Sequence, residues 1–302
     1  MIDKRWAGHL AAAFTIGIWG TTFISTKVLL AELSPLAILF LRFVLGLLVL
    51  LAVSPRRLAG TTHRQELLLA AAGLCGVCLY YLLENIALTY TLAANVGVII
   101  AVAPFFTALL SCLLLHEERP RPGFFLGFCV ALLGLYLISS NGVRLHLNPL
   151  GDLLALLAAL VWAVYSVLIR LIGGWGFPTV LTTRRIFGYG LLFMLPVLAV
   201  TGDWPDLLKL SQPVCLFNIL FLGVGASALC FVSWNYAVRL LGALQTSVYI
   251  YMGPVITLIA SALILHERLT GPMLLGTLLV LSGLLLSELK IPGRNIKKNI
   301  RK

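Results

Sequence analysis

Ten apolar stretches of about bilayer-spanning length, separated by short breaks, leave this chain few ways to fold. They run over 8–30, 34–53, 67–89, 92–115, 122–141, 150–171, 178–200, 214–238, 241–265 and 270–289. The breaks carry Pro, Gly or charge, as in Ser54-Pro55-Arg56-Arg57, Arg119-Pro120-Arg121-Pro122 and Gly202-Asp203-Trp204-Pro205. Segments of this length cannot hide in one water-soluble core. Within lipid their backbone groups must be satisfied internally, which selects helices. Composition agrees: 60% of the 302 residues are hydrophobic, only 11% are charged, and the mean hydropathy is +1.03. The expected fold class is an all-α, polytopic membrane protein of ten transmembrane helices.

The net charge of +11 raises nucleic acid as a partner, but the basic residues sit between the apolar runs and form no groove-facing stripe. With the N-terminus inside, 17 of the 22 Lys and Arg fall on the inner side, Lys27, Arg144, Lys209 and Arg268 fall outside, and Arg42 lies within a span. Adding or removing one span would spoil this sorting, so the charges support the helix count. Both termini are expected to be cytoplasmic, with a basic tail at 290–302 beside the lipid headgroups. The first run is too long for a signal-peptide core and lacks a cleavage site. The six cysteines lie in apolar runs without the His partners of a metal site, so no metal and no cofactor is expected.

The two halves resemble each other. At an offset of 143, Gly8 meets Gly151, Trp19 meets Trp162, Pro35 meets Pro178 and Arg42 meets Arg185. At an offset of 150, Asn85 meets Asn235, Ala93 meets Ala243, Pro104 meets Pro254 and His116-Glu117 meets His266-Glu267. After one gap, Gly127 meets Gly276 and Gly134 meets Gly283. The expected units are 8–141 and 150–289. Each holds an odd number of spans, so the second runs upside down, a recurring arrangement in transporters. Ala93, Gly97 and Ala101 share a helix face that admits close packing. Pro104 and Pro254 are expected in mid-helix, bending helices that pack near the pseudo-axis.

The stretch Trp19-Gly20-Thr21-Thr22-Phe23, then Leu41-Arg42-Phe43, Ala87-Leu88-Thr89-Tyr90, Ala103-Pro104-Phe105-Phe106 and His116-Glu117 resembles the EamA repeat of the drug/metabolite transporter superfamily. Asn235-Tyr236-Ala237-Val238-Arg239, Gly253-Pro254-Val255 and His266-Glu267 resemble a second copy. The resemblance covers about residues 8 to 289. It implies ten helices around a central cavity and carriage of amino acids or other small metabolites, often outward. Tyr80-Tyr81-Leu82-Leu83-Glu84-Asn85 departs from the plain apolar residues of many such repeats by placing a carboxylate in the membrane.

Ionisable residues inside spans are costly and tend to be functional. Arg42 lies eight residues from Ser34, about 12 Å below the surface at ~1.5 Å per residue, and Glu84 has a similar depth. The two are expected to face each other or the cavity, with Glu84 as a site for a substrate amine or a proton. Arg185 is a helix anchor or a gate charge. Asn85, Asn95 and Asn235 cannot face lipid with unpaired amides. Trp19 and Trp162 lie away from the interfacial belts and read as cavity-lining rings, joined by Tyr81, Tyr165 and Tyr249, a lining suited to cationic or aromatic substrates. The expected protein is a monomeric secondary transporter of the cell inner membrane, coupled to protons or to exchange, with a small-molecule substrate and the lipid bilayer as its partners. The alternative is a membrane enzyme acting on lipid-linked substrates, which would need a cluster of Asp, Glu or His at one interface. The eleven carboxylates are scattered instead.

Overall fold

The computed structural model describes residues 4–90, 96, 99–115, 120, 122–139, 149–253, 255–256, 259 and 271–288. The described elements are helical throughout: α1 Lys4–Leu30, α2 Pro35–Val53, α3 His63–Tyr90, α4 Ala103–Leu114, α5 Pro122–Ser139, α6 Pro149–Gly173, α7 Thr179–Thr201, α8 Pro213–Leu241, α9 Ala243–Ser247 and α10 Gly271–Glu288. Six of them (α1, α2, α3, α6, α7 and α8) are long and apolar enough to cross a membrane. Shorter apolar helices occupy Ala103–Leu114, Pro122–Gly134 and Leu274–Ser287.

Local chemistry sets the ends. Ser34 caps α2 by accepting from the Ala37 N–H, with Pro35 in the first turn, where its missing N–H costs nothing. Thr62 and Gln65 form a reciprocal capping box at the start of α3. Gly202, at φ 70°, ends α7 in a left-handed conformation that a Cβ disfavours. Pro104 does not bend a continuous helix as expected. The chain turns at 101–102, Val102 N–H donating to Ile99 O, and α4 begins at Ala103 with Pro104 in its first turn. A proline there forfeits no helical hydrogen bond. Ala93, Asn95, Gly97, Pro254 and both His-Glu pairs lie outside the described residues.

The halves interlock. α1 packs on α8, α3 on α6 and α7, α2 on α7 and α8, and α5 most extensively on α10. Glycines mark the tightest approaches. A Cβ on Gly127 would stand 2.5 Å from the Gly283 carbonyl oxygen, and one on Gly134 would stand 2.5 Å from the Gly276 carbonyl oxygen. These two contacts exchange with each other under the sequence repeat. One layer inward, a Cβ on Gly46 of α2 would be 3.2 Å from the Gly223 carbonyl oxygen of α8, and one on Gly73 of α3 would be 2.8 Å from the Gly190 amide and 2.9 Å from the Tyr189 Cβ of α7. Gly73 matches Gly223 under the repeat, and Gly46 is matched by Tyr189, the neighbour of Gly190.

Two further features stand at matching positions. α3 is π-helical over Leu74–Leu79, and α8 over Phe221–Leu229. Such insertions are rare, often mark functional sites, and re-aim the side chains that follow them. Here they are followed by Tyr80, Tyr81 and Glu84 on α3, and by Phe231, Trp234 and Asn235 on α8.

Candidate functional site: the interior between the halves

Rings from both halves meet in the interior. Trp19 of α1 stands 5.3 Å from Trp162 of α6, 5.2 Å from Trp234 and 5.7 Å from Phe231, both of α8. Trp162 also meets Tyr80 at 4.8 Å and Tyr165 at 5.1 Å. Phe43 of α2 meets Tyr81 at 5.4 Å and Phe187 at 4.9 Å. Edge-to-face and tilted pairs of this kind add about 0.5–1.5 kcal/mol each beyond their burial. Where an open central cavity was expected, these residues hold rings in mutual contact. The volumes of Trp, Tyr and Phe from six helices fill the space.

Arg42 lies within this cluster, almost wholly buried at 4% exposure. Its Nε donates to Ser227 Oγ at 2.9 Å, and its guanidinium sits 4.6 Å from the Tyr81 ring centroid and 5.4 Å from that of Phe43. Desolvated cation–π contacts of this type are worth about 2 kcal/mol. One guanidinium nitrogen, Nη2, is buried without a hydrogen-bond partner among the described residues. Glu84, at 7% exposure, also leaves a carboxylate oxygen, Oε2, buried without a partner. The Tyr80 hydroxyl lies beside that carboxyl, one turn away, and Arg42 is near enough to interact with it electrostatically. The two make no direct ion pair. Ion pairs do form elsewhere, as between Arg185 and Glu66 and between Lys209 and Glu32. The indole N–H groups of Trp162 and Trp234 are likewise buried without a partner, whereas Trp19 Nε1 donates to the Ala226 carbonyl at 2.9 Å. A buried polar atom left unpaired costs ~1–3 kcal/mol, more when charged. A donor nitrogen, an acceptor oxygen and two indole N–H groups in one aromatic interior can bind a small polar molecule carrying both donors and acceptors.

The other expected residues are placed around this interior. Tyr165 donates from its hydroxyl to Asn235 Oδ1 at 2.8 Å, and Asn235 Nδ2 donates to Thr183 Oγ1 at 3.0 Å, so these three bind α6, α8 and α7 together. Asn85 Nδ2 donates to the Pro35 carbonyl at 3.2 Å, tying α3 to the start of α2. Tyr249 shares a 2.7 Å hydrogen bond with His9 Nδ1 near the start of α1. Arg185 stands at the end of α7 nearest the start of α3, 3.2 Å from Glu66. Sequence reasoning did not single out Trp234, Phe231 or Ser227. The repeat offset that aligned Asn85 with Asn235 puts Phe231 opposite Tyr81 and Trp234 opposite Glu84, so that signal was present.

Membrane-length helices, two interlocked halves and a polar-lined aromatic interior between them define a multi-pass membrane transport protein. The chain belongs to the EamA-like transporter family, whose model matches residues 6–140 and 149–289. It is 30% identical to an "Uncharacterized transporter" of Archaeoglobus fulgidus, over 93% of this chain and 97% of that protein. It is 28% identical to the "Uncharacterized transporter YvbV" of Bacillus subtilis, over 93% and 91% of the two chains. A "Probable terminal-alkyne amino-acid exporter" of Streptantibioticus cattleyicolor is 26% identical over 94% of each chain. A crystal structure with 20% identity covers 95% of this chain and 99% of its own, with a TM-score of 0.79, and shares the fold.

Proposed function

We propose that the protein is a secondary carrier that moves small polar metabolites such as amino acids outward across the cytoplasmic membrane by alternating access. The observation that carries this reading is the pair of buried charged groups, Arg42 and Glu84, each with one atom, Nη2 and Oε2, left without a hydrogen-bond partner inside the aromatic interior. Burying a carboxylate or guanidinium is costly unless something completes its coordination. A solute with an ammonium and a carboxylate satisfies both at once, its amine at Glu84 and its acid at Arg42, while Tyr80, Tyr81 and Trp162 pack on its apolar part. In this reading the chain has ten spans in two inverted units, 8–141 and 150–289. Both termini are cytoplasmic, one monomer encloses the pathway, and transport is coupled to protons or to exchange. The exchanging glycine contacts, 127–283 with 134–276, support the inverted arrangement. The amino-acid exporter among the relatives supports the substrate class.

The test is counterflow in proteoliposomes loaded with an unlabelled amino-acid mixture. Labelled amino acids should accumulate transiently, and Glu84→Gln should cut that accumulation about tenfold or more, given the cost of removing one partner of a buried charged contact, with membrane abundance unchanged. Absence of counterflow for every amino acid in the wild-type protein, or full activity in Glu84→Gln, would overturn the reading.

A further inference from the structure

A second polar cluster ties the halves together at one end of the molecule. Glu66, in the first turn of α3, accepts from Arg185 Nη2 at 3.2 Å, from the Tyr189 hydroxyl at 2.5 Å and from the Thr61 hydroxyl at 2.6 Å. Beside it, Arg184 donates one guanidinium nitrogen to the Ser54 carbonyl and another to the Arg56 carbonyl, at the end of α2. Two consecutive arginines and a tyrosine of α7 thus grip the α2–α3 connection of the first half. Close by, Gly73 and Gly190 bring α3 and α7 into backbone contact.

The repeat makes the asymmetry visible. Arg185 corresponds to Arg42, Tyr189 to Gly46, and Glu66 to Leu216. The opposite end therefore has the arginine but neither the carboxylate nor the hydroxyl. There Arg42 turns inward to Ser227 instead. The polar link between halves at that end is the half-exposed Lys209–Glu32 pair, 3.2 Å long, with Lys209 also donating to the Glu32 carbonyl at 2.6 Å. The helices there are held by apolar contact, with Leu29, Ile38, Ile219 and Leu222 in one buried cluster of α1, α2 and α8.

We infer that the Glu66–Arg184–Arg185–Tyr189 cluster is a latch that closes the cytoplasmic end of the pathway and must open in every transport cycle. This rests on the alternating-access reading above. Its location suits the role. The groups lie where α2, α3 and α7 converge, so their separation parts the two halves there and draws Phe187 of α7 away from Phe43 of α2. Glu66 is partly exposed and Arg185 more so, with side-chain accessibilities of 21% and 44%, so water can compete for both. A contact of that kind holds one state modestly and releases it reversibly.

The test is a pair of reporter cysteines in the full-length chain, with the six native cysteines replaced. Thr182→Cys, buried on α7 at the latched end, and Ser25→Cys, buried towards the far end of α1, are labelled by a membrane-impermeant maleimide in vesicles of each orientation. Glu66→Gln and Arg185→Gln should speed labelling at position 182 about two- to fivefold, the range a partly exposed ion pair commands, and slow it reciprocally at position 25. The exchanged pair Glu66→Arg with Arg185→Glu should restore the wild-type rates, which separates a latch from general loosening. Unchanged rates, or faster labelling at both reporters together, would overturn the latch. If an added amino-acid mixture still shifts the two reporters in opposite directions, the carrier reading survives that result. If neither the mixture nor the variants move them, the carrier reading falls with it.

Discussion

Arg42 and Arg185 occupy matching positions 143 residues apart, yet their surroundings have sent them to different tasks. Arg185 meets a carboxylate at the rim, whereas Arg42 has only Ser227, two ring faces and an uncommitted Nη2. The divergence follows from single residues at the equivalent sites, Glu66 against Leu216 and Glu84 against Trp234. Small residues decide whether the interior assembles at all. A Cβ on Gly76 would lie 2.2 Å from the Tyr165 ring, in the wall that Asn235 pins through the Tyr165 hydroxyl. Gly76→Ala should therefore destabilise the purified protein by about 1–3 kcal/mol, the cost of overpacking a filled core, and thermal unfolding in detergent measures it; an unchanged transition would show that the ring moves aside freely. Several of these residues were legible beforehand. Arg42 and Glu84 stand out because charge inside a span is expensive, and Trp19 and Trp162 because indole usually collects at interfaces. Phe231 and Trp234 were not legible by that logic, since aromatic residues are ordinary in an apolar helix. Glu66 sits where spans end and charge is commonplace.

At the scale of elements, the helices follow from apolar length, and their close approaches follow from glycine. α5 and α10 have little to distinguish one face from another, and lipid provides no hydrophobic drive to press them together. Their contact depends on van der Waals packing across Gly127, Gly134, Gly276 and Gly283. Gly127→Leu and Gly283→Leu should each disrupt the α5–α10 contact and lower stability by similar amounts, ~2 kcal/mol or more, because the two replacements strike the opposing backbone from its two sides. Equal stability of either variant with the wild type, measured by thermal unfolding, would contradict that packing. Hydropathy located the end of α8 near Leu241 to within a few residues. It carries no sign of the π-helical stretches at Leu74–Leu79 and Phe221–Leu229. Those depend on an extra residue being accommodated by the packing of neighbouring helices. The break before Pro104 escaped the sequence for a related reason: a proline in an apolar run marks either a kink or a fresh start, and only the path of the preceding turn tells which.

At the scale of the whole molecule, the family model matches the chain twice, and on the proposed reading the second copy is inserted upside down, giving two similar surfaces that face each other across a shared interior. In that reading, contacts with a mate in the other half, such as Gly127–Gly283 with Gly134–Gly276, let the halves exchange two similar packings. In the carrier reading proposed above, the departures from symmetry, the charged pair inside and the latch at one rim, set which arrangement is the resting state, while the solute and ion gradients set the direction. All of this requires that the second half be inverted relative to the first. The direct measurement is side-specific labelling of two single cysteines, Arg57→Cys in the α2–α3 connection and Asn148→Cys just before α6, with an impermeant maleimide applied to intact cells and to inside-out vesicles. The account predicts that position 57 reacts only in inside-out vesicles and position 148 only in intact cells. Reaction of both from the same side would contradict it.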